Sequence, residues 1–308
     1  MVAEAFLRGN LHTHSTRSDG DSDPAVVYAW YRDHGYAFVA MTDHNSVTDP
    51  AEFRALATPT FTLLRGEEVT MTAEGKPVHV NAICASRSIG GGQFTDKPAA
   101  LAWAIGQVHG AGGVALVNHP NFEWALDEAL LVGMPRAELV EIASGHPYVR
   151  WRGEATRPSA EALWARHLDA GGDAAPGAVD DAHHLLPDAE VEGEPARPGK
   201  AWVEVFGGDR AEAAICAALR EKRFVASTGV SLRRLVVDGA AFEVEPAVDA
   251  RVEFVGEGSR VLAEARAGAG KPARHDLGAA TSGYVRARVT ADDGAQAWTK
   301  AYRVLAAR

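Results

Sequence analysis

Short apolar runs that end on a histidine or an acid constrain this chain more than any other feature. FLRGNLHTH places His12 and His14 at the end of the first run, and YAFVAM (36–41) is followed at once by Asp43, His44 and Asn45. FTLLRGEEVTM reads as one strand carrying Glu67 and Glu68, and PVHVNAICA as another carrying His79. GVALVNHPN ends on His119, and GAVDDAHH on Asp180, Asp181, His183 and His184. Unbroken apolar runs of this length read as strands covered on both faces, which is the habit of a parallel sheet. Segments of helical spacing lie between them: from Asp23-Pro24 to Gly35, from Lys97 to His109, from Pro158 to Ala170 and from Arg210 to Glu221. Asp before Pro is a helix start and Gly a helix stop. Strands alternating with helices over residues 6–228 predict an α/β barrel or sheet with polar residues at the C-terminal ends of its strands.

After Gly229 the texture changes. Helical spacing fades, and β-rich runs (LRRLVVDG, ARVEFVG, GYVRARVTADDG, AWTKAYRV) are separated by Gly and Asp-Gly turns. They predict a small antiparallel β domain over 229–308, behind a first domain over 1–228. No internal repeat or low-complexity tract interrupts this plan.

The chain has 308 residues and a formal net charge of −10. The length allows one large domain and one small one. The charge argues against sequence-independent nucleic-acid binding and leaves at most a small nucleotide as substrate. An acidic protein still accepts a phosphorylated small molecule if metal ions supply the positive charge. Two cysteines, Cys84 and Cys216, stand in separate apolar contexts and read as reduced, buried thiols. The N-terminus lacks the pattern of a secretory signal, and no run approaches the ~18 apolar residues of a membrane span. The expectation is a cytoplasmic protein with no membrane partner; the oligomeric state stays open.

In a strand, residues i and i+2 face the same side, so His12 and His14 aim two imidazoles at one point. The wider candidate set is His12, His14, Asp19, His44, Glu68, His79, His119, Asp181 and His183. Six of the twelve histidines fall at strand ends, beside three carboxylates, and chance accounts poorly for that. Imidazole and carboxylate ligands without cysteine suit Zn, Mn or Fe. Nine ligands can serve two or three divalent ions if a carboxylate bridges. Such clusters suit phosphoryl and acyl hydrolysis, because a bound ion makes water acidic and polarises the ester.

HTHSTRSDG, TDHN, GEEVT, PVHVNAI, NHPN and DDAHH, in that order, resemble the polymerase-and-histidinol-phosphatase (PHP) family of metallohydrolases, over roughly residues 6 to 228. The resemblance implies a distorted (β/α)7 barrel of the PHP type, with two or three metals at the C-terminal ends of its strands. By motif, His12 and His14 share one ion with Glu68 and Asp181. Glu68 bridges to an ion also held by His79 and His119, and Asp19, His44 and His183 hold the third. GNLHTH, DDAHH and the C-terminal AWTKAYRV resemble the branch described as phosphotransferase-domain or carbaryl-hydrolase-like proteins.

Two doublets need a choice. Only one of two strand neighbours can face a site, and the family's G-x-E and D-x-H patterns select Glu68 over Glu67 and Asp181 with His183 over Asp180 with His184. Arg17, in the loop between His14 and Asp19, is a candidate clamp on a phosphate oxygen. His146 in ASGHPY is a candidate substrate contact or general acid. Asn45 and Asn118 flank ligands and are candidates to orient them. Lys76 reads as a surface lysine, and His34, His109, His167 and His275 as structural or solvent-facing. The expected function is metal-dependent hydrolysis, first of a phosphate ester. A carbamate or carboxylic ester is the alternative, and a non-enzymatic scaffold the minor one.

Overall fold

The computed structural model describes residues 1–3, 5–187, 193–277 and 283–304. The Pro-, Gly- and Glu-rich stretch 186–200, which reads as an exposed loop, therefore lies partly outside the described residues. The described strands form three sheets, and no closed ring of ladders joins them. The class is mixed α/β, as expected, but the (β/α)7 barrel does not appear as such. Its strands divide between two sheets that meet at their ends.

One sheet carries, in order, Phe224–Ser227, Trp202–Phe206, Phe6–Asn10, Phe38–Ala40 and Thr62–Leu64. The last three are parallel. The other carries Ala175–Val179, Leu139–Ser144, Val114–Val117, Lys76–Ile83, Glu68–Ala73 and Gly92–Phe94. Leu7, Leu11, Phe38, Leu116, Leu139, Val179 and Val203 fill the core between the sheets. Among the described residues, single bridges stitch the sheets together: Thr13 to Ala182, both just past C-terminal strand ends, and His44, past the end of Phe38–Ala40, to Glu68 at the start of Glu68–Ala73. The space beside those bridges is where the polar residues collect.

The chain changes sheet at Arg65–Glu67, so the run expected as one strand is two, Thr62–Leu64 and Glu68–Ala73. Gly66 allows the crossing: a Cβ there would sit 2.5 Å from the Met41 carbonyl. Glu74 and Gly75, at φ 53° and 70°, make the two-residue hairpin turn that leads to Lys76–Ile83. The helices fall where their caps predicted. Asp23 accepts from the Ala25 N–H to open Pro24–Asp33, and Asp96 accepts from Ala99 N–H to open Lys97–Gly110. After Val114–Val117 the chain makes a 3-10 turn at Phe122–Trp124 and a short helix at Glu128–Gly133.

The C-terminal strands extend the first sheet, because Gln296–Thr299 pairs antiparallel with Phe224–Ser227. A separate four-stranded sheet pairs Val2–Ala3 with Leu232–Val237. A buried ion cluster pins this region to the helix Ala160–Asp169: Arg286 Nη1 lies 2.7 Å from Glu161 Oε1, and Arg288 reaches both Glu161 and Glu253.

Cys84 and Cys216 are not free thiols. They form a disulfide across 132 residues, between the end of Lys76–Ile83 and the helix Glu212–Arg220, with Cα atoms 6.1 Å apart. Two cysteines in unrelated apolar contexts gave no sign of this, since only the fold brings the strand end onto that helix. A crosslink closing so long a loop stabilises a fold by about 2–4 kcal/mol. No helix among the described residues is long and apolar enough to cross a membrane.

Candidate metal centre

The nine expected residues meet at the gap between the two sheets. Glu68 is their hub. Its carboxylate lies within 3.3 Å of five imidazoles, those of His12, His14, His44, His79 and His119. Asp181 Oδ1 stands 3.2 Å from His12 Nε2 and 3.4 Å from His14 Nε2. Asp19 stands 3.4 Å from His14, 3.3 Å from His44 and 3.5 Å from His183.

Local backbone explains the convergence. Thr13 bridges to Ala182, and His14 N–H donates to the Ala182 carbonyl, so the segment stays extended past Asn10 and both histidines face one side. Asn45 and Asp181 hold φ 49°, a left-handed turn directly after His44 and at the end of Ala175–Val179. That conformation costs a residue with a side chain about 1–2 kcal/mol. At Asp181 it turns the carboxylate back into the gap. Gly20 lets the Asp19 loop lie on the His14 backbone, since a Cβ there would stand 2.7 Å from the His14 carbonyl carbon.

The donor set fits divalent metal. His12 Nε2, His14 Nε2 and His79 Nδ1 are buried and lack an aligned hydrogen bond, although each has carboxylate oxygens near by. Buried polar atoms this close without alignment share a missing common partner. Their ligand atoms fall into four groups with members within 4.8 Å of one another: His14, Asp19, His44 and His183; His12, His14 and Asp181; His12, Glu68 and His119; and His44, Glu68 and His79. The family grouping put His79 and His119 together on one side of Glu68. Here they join different sets, through His44 and His12.

Without metal, the charges keep protons on the cluster. Burial pushes the His14 imidazole down, but its contacts with Asp181 and Glu68 outweigh this and raise it to about 9. Burial likewise opposes His12, and Asp181 and Glu68 still hold it well above the ordinary histidine value. Glu68 and Asp181 stay well below the usual carboxylate range despite burial, because imidazoles surround them.

Of the residues passed over, Glu67 and Asp180 face away, while His184 stays at the cavity rim. Glu67 accepts from Ser88 Oγ and from the backbone N–H groups of Ile89 and Gly90, and so holds the loop beside Glu68. Asp180 accepts from the N–H groups of Lys200 and Ala201 and from Tyr31 Oη. Asn118 donates to Glu68 Oε1 at 2.7 Å and fixes that carboxylate. Asn45 bonds the Thr70 backbone instead. Lys76 pairs with Glu123 at the surface.

Two residues escaped the sequence reading. Glu141, 1 % exposed on Leu139–Ser144, sets Oε2 3.4 Å from His12 Nδ1, on the ring edge away from Glu68. Asp43, fully buried, accepts from Ser15, Ser18 and Thr48 and anchors the His14–Asp19 loop. Asp43 sits in TDHN, so the motif itself pointed at it. Glu141 sits in ELVEIA, where a charged residue inside an apolar run was the available signal.

The cavity over the cluster has a volume of about 370 Å3. Phe122, His146, Tyr148 and His184 rim it, and among the described residues no lysine or arginine lines it. Arg17 is not brought to it. Its guanidinium forms a two-pronged pair with Glu52 on the surface, so the expected phosphate clamp would need that pair to open. His146 does line it, and burial depresses its imidazole to about 4. Its Nδ1 accepts from the Tyr148 N–H, which leaves the proton on Nε2. His34, His109, His167 and His275 lie elsewhere, against Trp30, Glu138, the Leu131 carbonyl and Phe254.

No family model matches the sequence, and no curated protein is similar enough to count as a relative. Among solved structures, a two-domain protein of Bacteroides vulgatus containing a predicted PHP-like metal-dependent phosphoesterase superposes with TM-score 0.50 at 18% identity, over 97% of this chain and 95% of the other. An amidohydrolase of Chromobacterium violaceum matches at TM-score 0.41 and 19% identity, over 61% of this chain and 91% of its own. A protein of Bifidobacterium adolescentis named as a metal-dependent phosphoesterase matches at TM-score 0.43 and 14% identity, over 62% of this chain and 92% of its own. The resemblance read from the motifs therefore holds at the level of the fold. This chain has the fold of a PHP-like two-domain protein.

Proposed function

We propose that the chain is a metal-dependent hydrolase, and that it acts first on phosphate esters. One observation carries the reading: a buried carboxylate, Glu68, in contact with five imidazoles, of which His12, His14 and His79 each have a buried inner nitrogen without an aligned partner. A structural polar core would close its hydrogen bonds; this one leaves them open toward shared points. His12, His14, Asp19, His44, Glu68, His79, His119, Asp181 and His183 would hold two or three divalent ions, of manganese, zinc or iron. Bound there, the ions supply Lewis-acid activation of water and of the ester. The PHP-like fold, and the phosphoesterase named in the Bacteroides protein, support the same class.

The chain's own residues then have defined tasks. Glu68 and Asp181 keep the charge that concentrates cations. Glu141 and Asn118 keep His12 and Glu68 in place. Phe122 and Tyr148 exclude water beside the organic part of the substrate. His146 is neutral near pH 7, so it serves the leaving oxygen as a hydrogen-bond donor through Nε2 rather than as a charged acid. This revises the general-acid role expected from sequence. The lack of any cation lining the cavity favours a second reading on the same metals, hydrolysis of an uncharged carbamate or carboxylic ester.

The test is a screen on metal-reconstituted protein with p-nitrophenyl phosphate, bis-p-nitrophenyl phosphate and p-nitrophenyl acetate, with His12→Ala and Asp181→Ala as controls. Turnover of a phosphate ester, lost in both variants, is the expected result. Turnover of the acetate alone moves the assignment to the second reading. No turnover at full metal occupancy returns the scaffold reading.

A further inference from the structure

Beside the metal cavity lies a second, open cavity of about 460 Å3, lined by Ser144, Trp151, Arg152, Glu194, Lys200, Thr228 and the turn 293–295. A narrow ridge divides the two. Ser144 and Gly145 line the second cavity, and the next residue, His146, lines the first. Gly145 makes this possible, since a Cβ there would lie 2.7 Å from the Asp180 carbonyl oxygen and 2.8 Å from Lys200 Cβ. The 293–295 turn belongs to the C-terminal strands, so this cavity is a seam between the two parts of the chain.

Its cations are free of acids. Most arginines in this protein reach a carboxylate or a carbonyl, yet Arg152 and Lys200 have no ion pair among the described residues, although Glu194 and Asp293 border the same cavity. Asp293 is occupied in its own turn, accepting from the Ala295 N–H. The Arg152 guanidinium instead lies over the Trp151 ring, 3.8 Å from its centroid, and Trp151 is braced edge-on by the buried Trp298. Stacking fixes the plane of a guanidinium and leaves its N–H edge open for a two-pronged contact. Arg152 and Lys200 are both exposed at the open side of the seam, and partial burial lowers the Arg152 pKa. By contrast, the metal cavity offers a substrate no side-chain cation at all.

Resting on the hydrolase reading, we infer that this seam binds an anionic group of the substrate, a carboxylate or a second phosphate, through Arg152 and Lys200, while the scissile ester reaches over the partly exposed Gly145–His146 ridge to the metal cluster. The C-terminal strands thereby gain a role in specificity, since their turn closes the seam.

The binding part is tested without metal, with inorganic phosphate as the probe and the indole N–H resonance of Trp151 as the reporter, assigned with Trp151→Phe. The expected result is a saturable shift in the wild type and in His12→Ala, weakened about ten-fold or more in Arg152→Met and in Lys200→Met, as for the loss of one charge-assisted contact. No saturable shift, or an equal one in both Met variants, overturns the site. The substrate part is tested in the metal-loaded enzyme. KM for an aryl phosphate bearing a carboxylate on its leaving group should rise about ten-fold in each Met variant with kcat unchanged. Intact phosphate binding with an unmoved KM overturns the link to substrate. Intact binding with no phosphate ester turned over removes the phosphoesterase reading and leaves the anion site standing.

Discussion

Glu67 and Glu68 are neighbours in sequence, equally buried, and opposite in use. Glu67 is saturated: both oxygens accept backbone N–H groups and a serine hydroxyl, and the loop at 88–90 hangs on it. Glu68 meets five imidazoles, and among the described residues its one amide side-chain donor is Asn118. Asp180 and Asp181 repeat the division, one tied to the Lys200 and Ala201 backbone and the other turned toward His12 and His14. One member of each pair builds the frame, and the other is left reactive within it. A closed hydrogen-bond shell signals stability, and an open one among like ligands signals chemistry.

Exchanging the two roles should break this comparison most visibly. Glu68→Gln leaves shape intact but removes the negative hub. Activity of the metal-loaded protein should fall at least about a thousand-fold, beyond the 10–100-fold typical of an outer-sphere partner. Metal content by elemental analysis should fall with it. Unchanged metal content would remove Glu68 from the centre of the site. Glu67→Gln should do the reverse. It sets an amide N–H against a backbone N–H and should cost about 1–3 kcal/mol of stability in denaturant titration, with full metal content in the folded fraction. A Glu67 variant that folds normally and loses metal would merge the two roles.

This division explains which parts were legible in the sequence. Strand-end histidines and the spacing of HTH, DDAHH and NHPN placed nine residues that the fold does gather, because strand ends and period-two alternation are local facts. The doublets were decided only by pattern, since a strand face cannot be assigned without knowing where the chain bends. The bend came at Gly66, where one expected strand became two in different sheets. The disulfide and the pairing of Glu141 with His12 join residues 132 and 129 positions apart, which no local reading reaches. The disulfide also bears on the expected cytoplasmic location, because such bonds persist chiefly in oxidising compartments.

Glu141 sharpens the comparison from a third position, as a carboxylate that touches a ligand and not the cavity. By holding Nδ1 of His12 it leaves Nε2 directed at Glu68 and Asp181. Glu141→Gln can still accept from Nδ1 through its amide oxygen but withdraws the charge. Metal affinity should weaken about 10–100-fold, read by competition with a chelator. A change confined to kcat, with affinity intact, would refute a positioning role.

The protons on the open shell give the next effect. His14 is raised to about 9 and His12 well above its ordinary value, so both are protonated near neutrality in the metal-free protein. A cation must expel those protons, and its apparent affinity therefore rises with pH and levels off above about 9. The slope is up to about ten-fold per pH unit for each proton displaced. Calorimetry in two buffers of different ionisation enthalpy should register proton release near neutral pH. Binding without proton release would mean that the imidazoles were already neutral.

Arg17 should give the smallest effect, and it tests whether proximity in sequence implies membership of the site. It lies between His14 and Asp19 in the chain, yet its guanidinium is held by Glu52 on the surface and stands over Phe53 at 5.4 Å. An exposed pair of this kind contributes little to stability, and it is screened by salt. Arg17→Ala should change kcat/KM for a phosphate ester by no more than about two-fold, which is within what an uninvolved surface charge does to the local field. The control is Glu52→Gln, which frees the guanidinium. If Arg17→Ala costs much more than this, or if Glu52→Gln raises activity in a way that Arg17→Ala abolishes, the pair is a latch that opens on substrate. Arg17 would then belong with Glu68 and not with Glu67.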